Sequence, residues 1–559
     1  AFRIIENETL HSLIKEVEAQ SMNSSVYIAL GAGYKGAIPL HVKILWITRP
    51  TDGNGRIFLD RPRLDTEVSA YDEYMERYVG REIRYREIYH KEIPLAEGFT
   101  KPNKTEPVLL GLKPFEIRAG FTVLPHLFQN EIRLEDFITD KLLLGASFFE
   151  MRDDLLSHQQ IARLVREVPA SKLLYSFRTR ENLMKAEWLD NIRYDWPLEL
   201  GPCPYKNPPV LSLHNRAQDE SVEEAAGHLT SKPAQHYKLA VTIRSYLELW
   251  AGHQWYLEDP ENRSFLPMSP PGVKEPLWKW YRLLFGPKMK IGFVRDVKGS
   301  AFDQPSLYDW VRVLQERGSY KGQEFAALLG SPVEHSRTPS VHSDFFSKKN
   351  WPVVVVPMDT KEANQINLSI LERMGLCAAA VTAPLKEAVA KVYNLSGSSS
   401  YQAVNTIAKN LKTHKWSTAN TDIAGFRTLF DSVALPEDIV VWGGGGTREA
   451  LRASLPDAPF FSARSGEMVT DHNWVGDVRA VHASKFNPEC VVWAVGRNRM
   501  PDCQWPPNQW KPKLILDLNY TEDSPGREYA LKCGARYISG LLMFEAQAAE
   551  QQKFFAQTI

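Results

Sequence analysis

The chain has 559 residues, and at roughly 150 residues per domain it is expected to hold three or four compact units rather than one small fold. Lys plus Arg and Asp plus Glu each total 67, so the formal charge is zero and bulk electrostatics offer no surface for a polyanion; direct nucleic-acid binding starts disfavoured. Hydrophobic residues at 43% and charged residues at 24% supply several cores and exclude collagen-like, coiled-coil and low-complexity readings.

No run approaches eighteen apolar residues, so no membrane span is expected. Five cysteines, Cys203, Cys377, Cys490, Cys503 and Cys533, are far apart and odd in number, which gives neither a disulfide framework nor a metal site and fits a reducing compartment, cytoplasm or nucleus. The sequence opens at Ala1 directly in a helical pattern, as a chain that starts inside a longer protein would.

From the N-terminus, helical periodicity covers about Phe2 to Ala19, and Val26 to Leu30 reads as a buried strand ending in Gly31-Ala32-Gly33. A second strand, Val42 to Thr48, precedes Arg61-Pro62-Arg63-Leu64 and a Tyr- and Arg-rich helical run to about His90. The polar stretch Ala96 to Pro107 reads as a linker. From Pro107 to about Ser319, strand-like runs at Phe148 to Met151, Leu173 to Phe177, Pro197 to Leu200, Val210 to Leu213 and Lys238 to Thr242 alternate with helical ones, the pattern of parallel βα units in barrel-like number. A third alternating region starts near Glu324 and contains the strand Ile439 to Trp442 running into four glycines, Gly443 to Gly446. No fixed-period repeat is present.

The densest polar constellation lies in this third region: His335-Ser336-Arg337-Thr338-Pro339, Val381-Thr382-Ala383-Pro384-Leu385-Lys386, Val404-Asn405-Thr406 and Asn420-Thr421-Asp422. Several of these groups end strand-like runs, and carboxyl ends of parallel strands converge on one cleft, so hydroxyls, a Lys, an Asn and an Asp could surround a small polyol. Singly, a Ser before a helix is most often an N-cap and a Lys is most often solvated. The ordered series reverses that preference.

The series resembles the shikimate dehydrogenase family over about Glu324 to Ile559. The resemblance implies that Ser336, Thr338, Thr382, Asn405 and Gln547 hold substrate hydroxyls and carboxylate while Lys386 and Asp422 form a catalytic pair. Moving hydride from a secondary alcohol requires removing its proton, which a Lys poised by burial beside an Asp can do. The resemblance also implies NADP on Gly443, Gly444, Gly445, Gly446 and Thr447, with Arg464 of Ser462-Ala463-Arg464-Ser465 at a 2′-phosphate; an ordinary tight turn is the bland alternative for the glycines. The chain departs from the family pattern at Ala463 and over Trp493 to Asn498, where the nicotinamide would lie.

The middle region resembles type I dehydroquinase, a Schiff-base (β/α)8 enzyme, across about Pro107 to Ser319. Carried over by motif, Glu150, Arg152, Arg178, Ser300 and Gln304 would bind substrate, Lys238 would form the imine and His214 would move protons. A lysine inside an apolar run is desolvated, which eases imine formation, although a snorkelling Lys and a satisfied polar His would look the same. Here Asn182 stands where the family has the carboxylate that orients the histidine, with Glu181 one residue away, and a substrate-gripping arginine aligns with Lys279. The first region resembles the C-terminal part of shikimate kinase, which would put Arg3 and Arg81 on shikimate, but it lacks any G-x-x-x-x-G-K-[ST] phosphate cradle and its glycine triplet is broken by Ala32.

The expected architecture is therefore multidomain α/β: a kinase-like fragment at 1–97, a (β/α)8 barrel at 107–319, a shikimate-dehydrogenase-like substrate domain at 322–425 and a Rossmann-like half at 426–559. That order matches the three C-terminal domains of the fungal pentafunctional arom protein. With departures at chemistry-bearing positions in each part, it resembles the fungal quinate repressors, which implies a sensor of quinate, shikimate or dehydroquinate acting on a transcription activator protein. A bifunctional dehydroquinase and shikimate (quinate) dehydrogenase using NADP is the alternative, supported by Lys386 with Asp422 and Lys238 with His214. Lys274 to Lys290, with Trp278, Trp280, Tyr281 and Phe285 among basic residues, reads as a barrel helix ahead of a stacking surface for nucleic acid.

Overall fold

The computed structural model describes residues 2–19, scattered positions from 28 to 48 and from 85 to 94, and, with short gaps, residues 117–310 and 324–559; the longest gaps are 180–191, 396–401 and 470–481. Two compact units result, 1–57 with 62–95 and 58–61 with 96–559. In the first, α1 (Phe2–Ala19) buries Leu10 and Ile14 against Tyr34, and β1 (Leu45–Thr48) pairs in parallel with β2 (Lys91–Pro94). Leu10 and Ile14 are four apart, one turn of a helix, which is why they share its inner face. Ile28 and Leu30, expected inside a buried strand, are exposed and lie in no strand, and the sheet among the described residues has only β1 and β2 to offer as partners. The linker at 96–107, Arg81 and the Ala32 triplet lie outside the described residues, as does the side chain of Arg3.

The second unit begins with a seven-stranded parallel sheet in sequence order: β3 (Gly120–Thr122), β4 (Phe148–Arg152), β5 (Leu173–Ser176), β6 (Arg193–Pro197), β7 (Val210–Leu213), β8 (Tyr237–Leu239) and β9 (Arg263–Phe265). Gly120 of β3 donates its N–H to the Gly292 carbonyl at 2.8 Å and accepts from Val294 N–H at 3.1 Å, so the chain beyond β9 returns to the first strand and the sheet is curled. Helices α2 (His158–Glu167), α3 (Val222–Thr230), α4 (Tyr246–Glu258) and α5 (Lys279–Phe285) connect the strands. Sequence sets their starts: Ser157 with Gln160 and Ser221 with Glu224 form reciprocal capping boxes, and Ser245 caps α4. Trp278, Trp280, Tyr281 and Phe285 are all buried in the core, so the aromatic run at Lys274 to Lys290 is a packing face and no stacking surface. The strand expected at Pro197 to Leu200 sits four residues earlier, and 198–200 form a tight turn. A buried Asp195 at its centre breaks the apolar run that would have marked it.

A mixed sheet follows, with spatial order β11-β10-β12-β13-β14: β10 (Phe325–Gly330), β11 (Val354–Asp359) and β12 (Leu376–Val381) are parallel, while β13 (Thr406–Lys409) and β14 (Trp416–Ala419) run antiparallel to their neighbours. Around it lie α6 (Thr338–Lys348), α7 (Gln365–Arg373) and α8 (Lys386–Leu395). Trp280 of the curled sheet's last helix stacks on Phe325 of β10 with ring centroids 6.1 Å apart, inside one continuous apolar cluster.

Helix α9 (Asp422–Asp431) leads into a fully parallel sheet of order β16-β15-β17-β18-β19, built from β15 (Ile439–Gly443), β16 (Phe460–Phe461), β17 (Cys490–Ala494), β18 (Leu514–Asp517) and β19 (Arg536–Ser539). Alternate strand residues feed two separate clusters, Val441, Val492 and Leu516 on one face and Trp442, Trp493 and Ile515 on the other. Burial on both faces is what a parallel sheet with helices on each side requires. Helices α10 (Arg448–Ser454), α11 (Pro525–Cys533) and the terminal α12 (Leu541–Thr558) complete it, and α12 packs on α9 and α6. No helix among the described residues is long and apolar enough to cross a membrane.

Candidate functional site

Each of the seven strands of the curled sheet carries one buried polar side chain: Thr122, Glu150, Ser176, Asp195, Ser212, Lys238 and Ser264. An interior lined this way is costly unless its groups pair. Most do: Glu150 accepts from Thr122 Oγ1 at 2.6 Å and Ser176 Oγ at 2.8 Å, and Asp195 Oδ2 meets Lys238 Nζ directly. Arg178 Nη2 lies 3.8 Å from Glu150 and 3.6 Å from Asp195. Burial pushes Asp195 up, but Lys238 and Arg178 outweigh it and hold this carboxyl well below the usual range. Asp195 Oδ1 and Ser212 Oγ have no hydrogen-bond partner among the described residues.

Glu150, Arg178 and Lys238 border a cavity of about 340 Å³ that also exposes Arg152, Glu199, His214, Arg282, Ser300 and Gln304 to its interior. The last loop is tied in by hydrogen bonds: Gln304 Oε1 accepts from Ser300 N–H at 2.9 Å, and Ser300 Oγ lies 2.8 Å from Thr122 Oγ1. Arg152 makes a two-pronged pair with Asp154 at 2.9 and 2.6 Å. All seven residues singled out in this region of the sequence thus reach one cavity; Glu199 and Arg282 join them unforeseen, and Asp195 stands behind the wall on Lys238. Lys279 is not on this cavity; it faces Asp309 at 3.5 Å, while Arg282, bonded to the carbonyls of Pro267 and Leu266, supplies a guanidinium on the wall.

Asn182, at the expected position of the carboxylate that orients His214, and its neighbour Glu181 lie outside the described residues. The carboxylate found beside His214 is Glu199, whose Oε1 accepts the backbone N–H groups of His214 and Asn215 at 2.5 and 2.6 Å, and whose Oε2 is 3.9 Å from Nδ1. Burial raises the Glu199 carboxyl, yet the His214 ring and those backbone donors outweigh it and hold it at about 2. Burial lowers His214 against the pull of Glu199, so the ring is poised to stay neutral.

The second constellation gathers at the strand ends of the mixed sheet. Lys386 opens α8 and meets Asp422, the first residue of α9, in a buried ion pair. Asn405, just before β13, donates Nδ2 to Asp422 Oδ1 at 2.7 Å and to Thr421 Oγ1 at 3.0 Å. Its Oδ1 accepts from Thr406 Oγ1 and Thr421 N–H, both at 2.8 Å, so this amide is saturated by its own neighbours. Ser336 and Thr338 share a hydrogen bond of 3.1 Å at the start of α6, and the Ser336 hydroxyl accepts the Thr338 N–H, the capping role that a lone Ser would have. His335 is outside the described residues. Thr382 packs at the end of β10, where a Cβ on Gly330 would be 2.3 Å from its methyl. Gln547 lies on α12 against α9, where a Cβ on Gly425 would come within 3.1 Å of Gln547 Cβ and 2.8 Å of the Met543 carbonyl; only glycine lets the two helices approach so closely.

The glycine turn after β15 has left-handed φ at Gly443 (96°), Gly444 (121°) and Gly445 (38°), backbone that side chains rarely adopt. A Cβ on Gly445 would meet nothing within 4 Å, and one on Gly446 would lie 3.8 Å from Lys386 Cβ, so the turn is open on one side and borders the Lys386 pair. Thr447 closes it, donating its hydroxyl to the Gly444 carbonyl at 2.6 Å. Arg464 is exposed after β16 while Ala463 is buried. An open glycine turn with an exposed Arg at the neighbouring strand end fits the phosphates of a dinucleotide. Among the described residues no cluster of three or more His, Cys, Asp or Glu could hold a metal.

Residues 328–407 match the family described as the shikimate dehydrogenase substrate binding domain. The NADP(+)-dependent shikimate dehydrogenase of Cereibacter sphaeroides is 29% identical over 256 residues, covering 40% of this chain and 88% of that protein. The pentafunctional AROM polypeptide of Candida glabrata is 31% identical over 152 residues, 26% of this chain but 10% of that one. Among solved structures, the dehydroquinate dehydratase and shikimate dehydrogenase from S. pombe AroM aligns over 80% of this chain and 96% of its own, at 16% identity and TM-score 0.28. The C-terminal region of this chain is homologous to shikimate dehydrogenase, and part of the chain to the AROM polypeptide.

Proposed function

We propose that the chain is a metabolite-sensing repressor of quinate utilisation. It binds a quinate, shikimate or dehydroquinate ligand in enzyme-like folds and acts on a transcription activator protein, in cytoplasm or nucleus, without gripping DNA itself. On this reading the curled sheet is a (β/α)8 barrel at 107–319, preceded by a kinase-like fragment at 1–97 and followed by a substrate domain at 322–425 and a Rossmann-like half at 426–559. The observation that carries it is the state of Lys238. Burial lowers the Lys238 amine against the pull of Asp195, yet the ion pair with that ionised carboxylate still occupies its nitrogen, whereas attack on a carbonyl needs a free amine. The cavity around it still offers Arg152, Arg178, Arg282, Ser300 and Gln304, a set suited to one carboxylate and several hydroxyls. Binding without turnover leaves a signal molecule intact.

A second reading, a shikimate or quinate dehydrogenase with or without dehydratase activity, is favoured by one feature: the Lys386–Asp422 pair is assembled beside the glycine turn. There Gly443 to Gly446, Thr447 and Arg464 would hold NADP, which when bound exchanges hydride with a secondary alcohol. Lys386 and Asp422 would take or return the hydroxyl proton.

The two separate in one experiment on the purified chain: thermal shift with quinate, shikimate and dehydroquinate, beside turnover of shikimate and quinate with NADP and NAD and of dehydroquinate alone. A ligand at 100 times its Kd adds about 2.7 kcal/mol of stability. Stabilisation without turnover is the result expected for a sensor. Turnover abolished by Lys386→Ala or Lys238→Ala would establish the enzyme; no shift with any of the three would sink the sensor, and no turnover as well would sink both.

A further inference from the structure

Helix α12 carries a second glutamine, Gln551, one turn beyond Gln547. Gln551 is buried, as are His342 of α6, Asn405, Thr406 and Asp422, and the five form one hydrogen-bonded line across four elements, α6, β13, α9 and α12. Gln551 Nε2 donates to the Asn405 carbonyl at 3.0 Å and to Thr406 Oγ1 at 3.1 Å. Both of its N–H groups are then used, so its Oε1, 3.0 Å from His342 Nε2, is the acceptor and His342 carries its proton on Nε2. Burial keeps that ring neutral, since it holds His342 down at about 4, and its Nδ1 has no hydrogen-bond partner among the described residues.

The same proton count fixes the next link. Because the Thr406 hydroxyl accepts from Gln551, its own proton goes to Asn405 Oδ1 at 2.8 Å. Asn405 must therefore present oxygen to Thr406 and nitrogen to Asp422 Oδ1, which leaves Asp422 Oδ2 for Lys386. Flipping the Asn405 amide would set its oxygen against the Asp422 carboxylate and its N–H groups against two donors.

We propose that Gln551, held by His342 and acting through the Thr406 hydroxyl, is a positioning residue that locks the Asn405 amide and so aims Asp422 at Lys386 for ligand recognition. The inference rests on the reading of the Lys386–Asp422 cluster as a polyol site and adds to it the device that sets its geometry.

The test measures shikimate binding to the full chain by titration calorimetry, with Lys386→Met locating the site. Thr406→Val keeps the shape of the side chain and removes the hydroxyl, and Thr406→Ser restores it. Losing one buried hydrogen-bond relay is expected to weaken shikimate binding about tenfold in Thr406→Val, with Thr406→Ser within about twofold of wild type. Thr406→Val with Gln551→Met removes the hydroxyl and the amide that donates to it together, leaving only His342 Nε2 without its acceptor, and it should show the same weakening. Binding that Lys386→Met abolishes but Thr406→Val, Thr406→Ser and the double variant all leave unchanged would overturn the relay while sparing the site. Equal losses in Thr406→Ser and Thr406→Val would also overturn it, because simple packing damage would explain both. Absence of shikimate binding in the wild type would remove the site reading and the relay's role with it.

Discussion

Replacing Asp195 by Asn should destabilise the curled-sheet unit through the lysine it leaves behind. Asp195 is fully buried, and Lys238, equally buried, touches its Oδ2. The amide is isosteric, so no cavity opens, but the ammonium loses its counter-charge, and breaking a buried pair from one side costs about 3–5 kcal/mol. That penalty has a ceiling, because the lysine can shed its proton instead. Deprotonating an amine with an ordinary pKa of about 10.4 costs about 5 kcal/mol at pH 7 and about 2 kcal/mol at pH 9. In the variant the folded state then holds a neutral Lys238 while the unfolded chain binds the proton, so stability rises with pH over that interval. Urea unfolding followed by circular dichroism should show a loss of about 3–5 kcal/mol at pH 7 that shrinks to about 2 kcal/mol at pH 9. Adding Lys238→Met should recover most of the loss and abolish the pH dependence, since no buried charge is left unpaired. A loss under about 1 kcal/mol at pH 7, or one that does not change with pH, would refute a tightly paired interior lysine, and with it the argument that Asp195 keeps Lys238 from acting as a nucleophile.

Two further outcomes follow from close approach and from burial. Gly425→Ala places a methyl 2.8 Å from the Met543 carbonyl and 3.1 Å from Gln547 Cβ, so α12 must shift; differential scanning calorimetry should show a loss of about 1–3 kcal/mol, and shikimate-induced stabilisation should fall if Gln547 contacts the ligand. Asp517 is buried under Trp493 and Gly526, and burial, against hydrogen bonds from Ser524, Asn519 and Tyr537, raises its carboxyl to about 6. A folded acid that titrates above its unfolded value weakens the fold as pH rises from about 4 to 6 and stays at full cost above that, here about 3 kcal/mol for about two units. Unfolding free energies at pH 4.5 and 7.5 should show Asp517→Asn gaining on wild type at the higher pH, and a pH-independent difference would contradict the assignment.

What could be read from the sequence depended on whether a group is announced by its own strand. Lys386, Asn405 and Asp422 each follow or precede a run whose period is plain, and the structure brings all three into hydrogen-bonding contact. In the curled sheet Lys238 was legible for the same reason, standing in Tyr237-Lys238-Leu239-Ala240. Its partner was not, because Asp195 interrupts the strand it belongs to, and the apolar signal that remained, around Pro197 to Leu200, pointed to the wrong bounds. Arg282 was hidden differently: three residues beyond Lys279 on α5 brings a side chain back to nearly the same helix face, so motif spacing could not choose between them, whereas burial does, with Arg282 on the cavity and Lys279 turned to Asp309. Gln551 stands one turn after Gln547, again on a shared face, and nothing local separates the residue that could meet a ligand from the one that orients Asn405. Polar groups that act through other side chains carry no periodic signature of their own; their partners are 145 and 209 residues away in sequence, at Thr406 and His342, and only folding brings them together. Hence many of the residues that meet in the two clusters could be named from the chain, while those that pair with them and orient them had to be found from the packing.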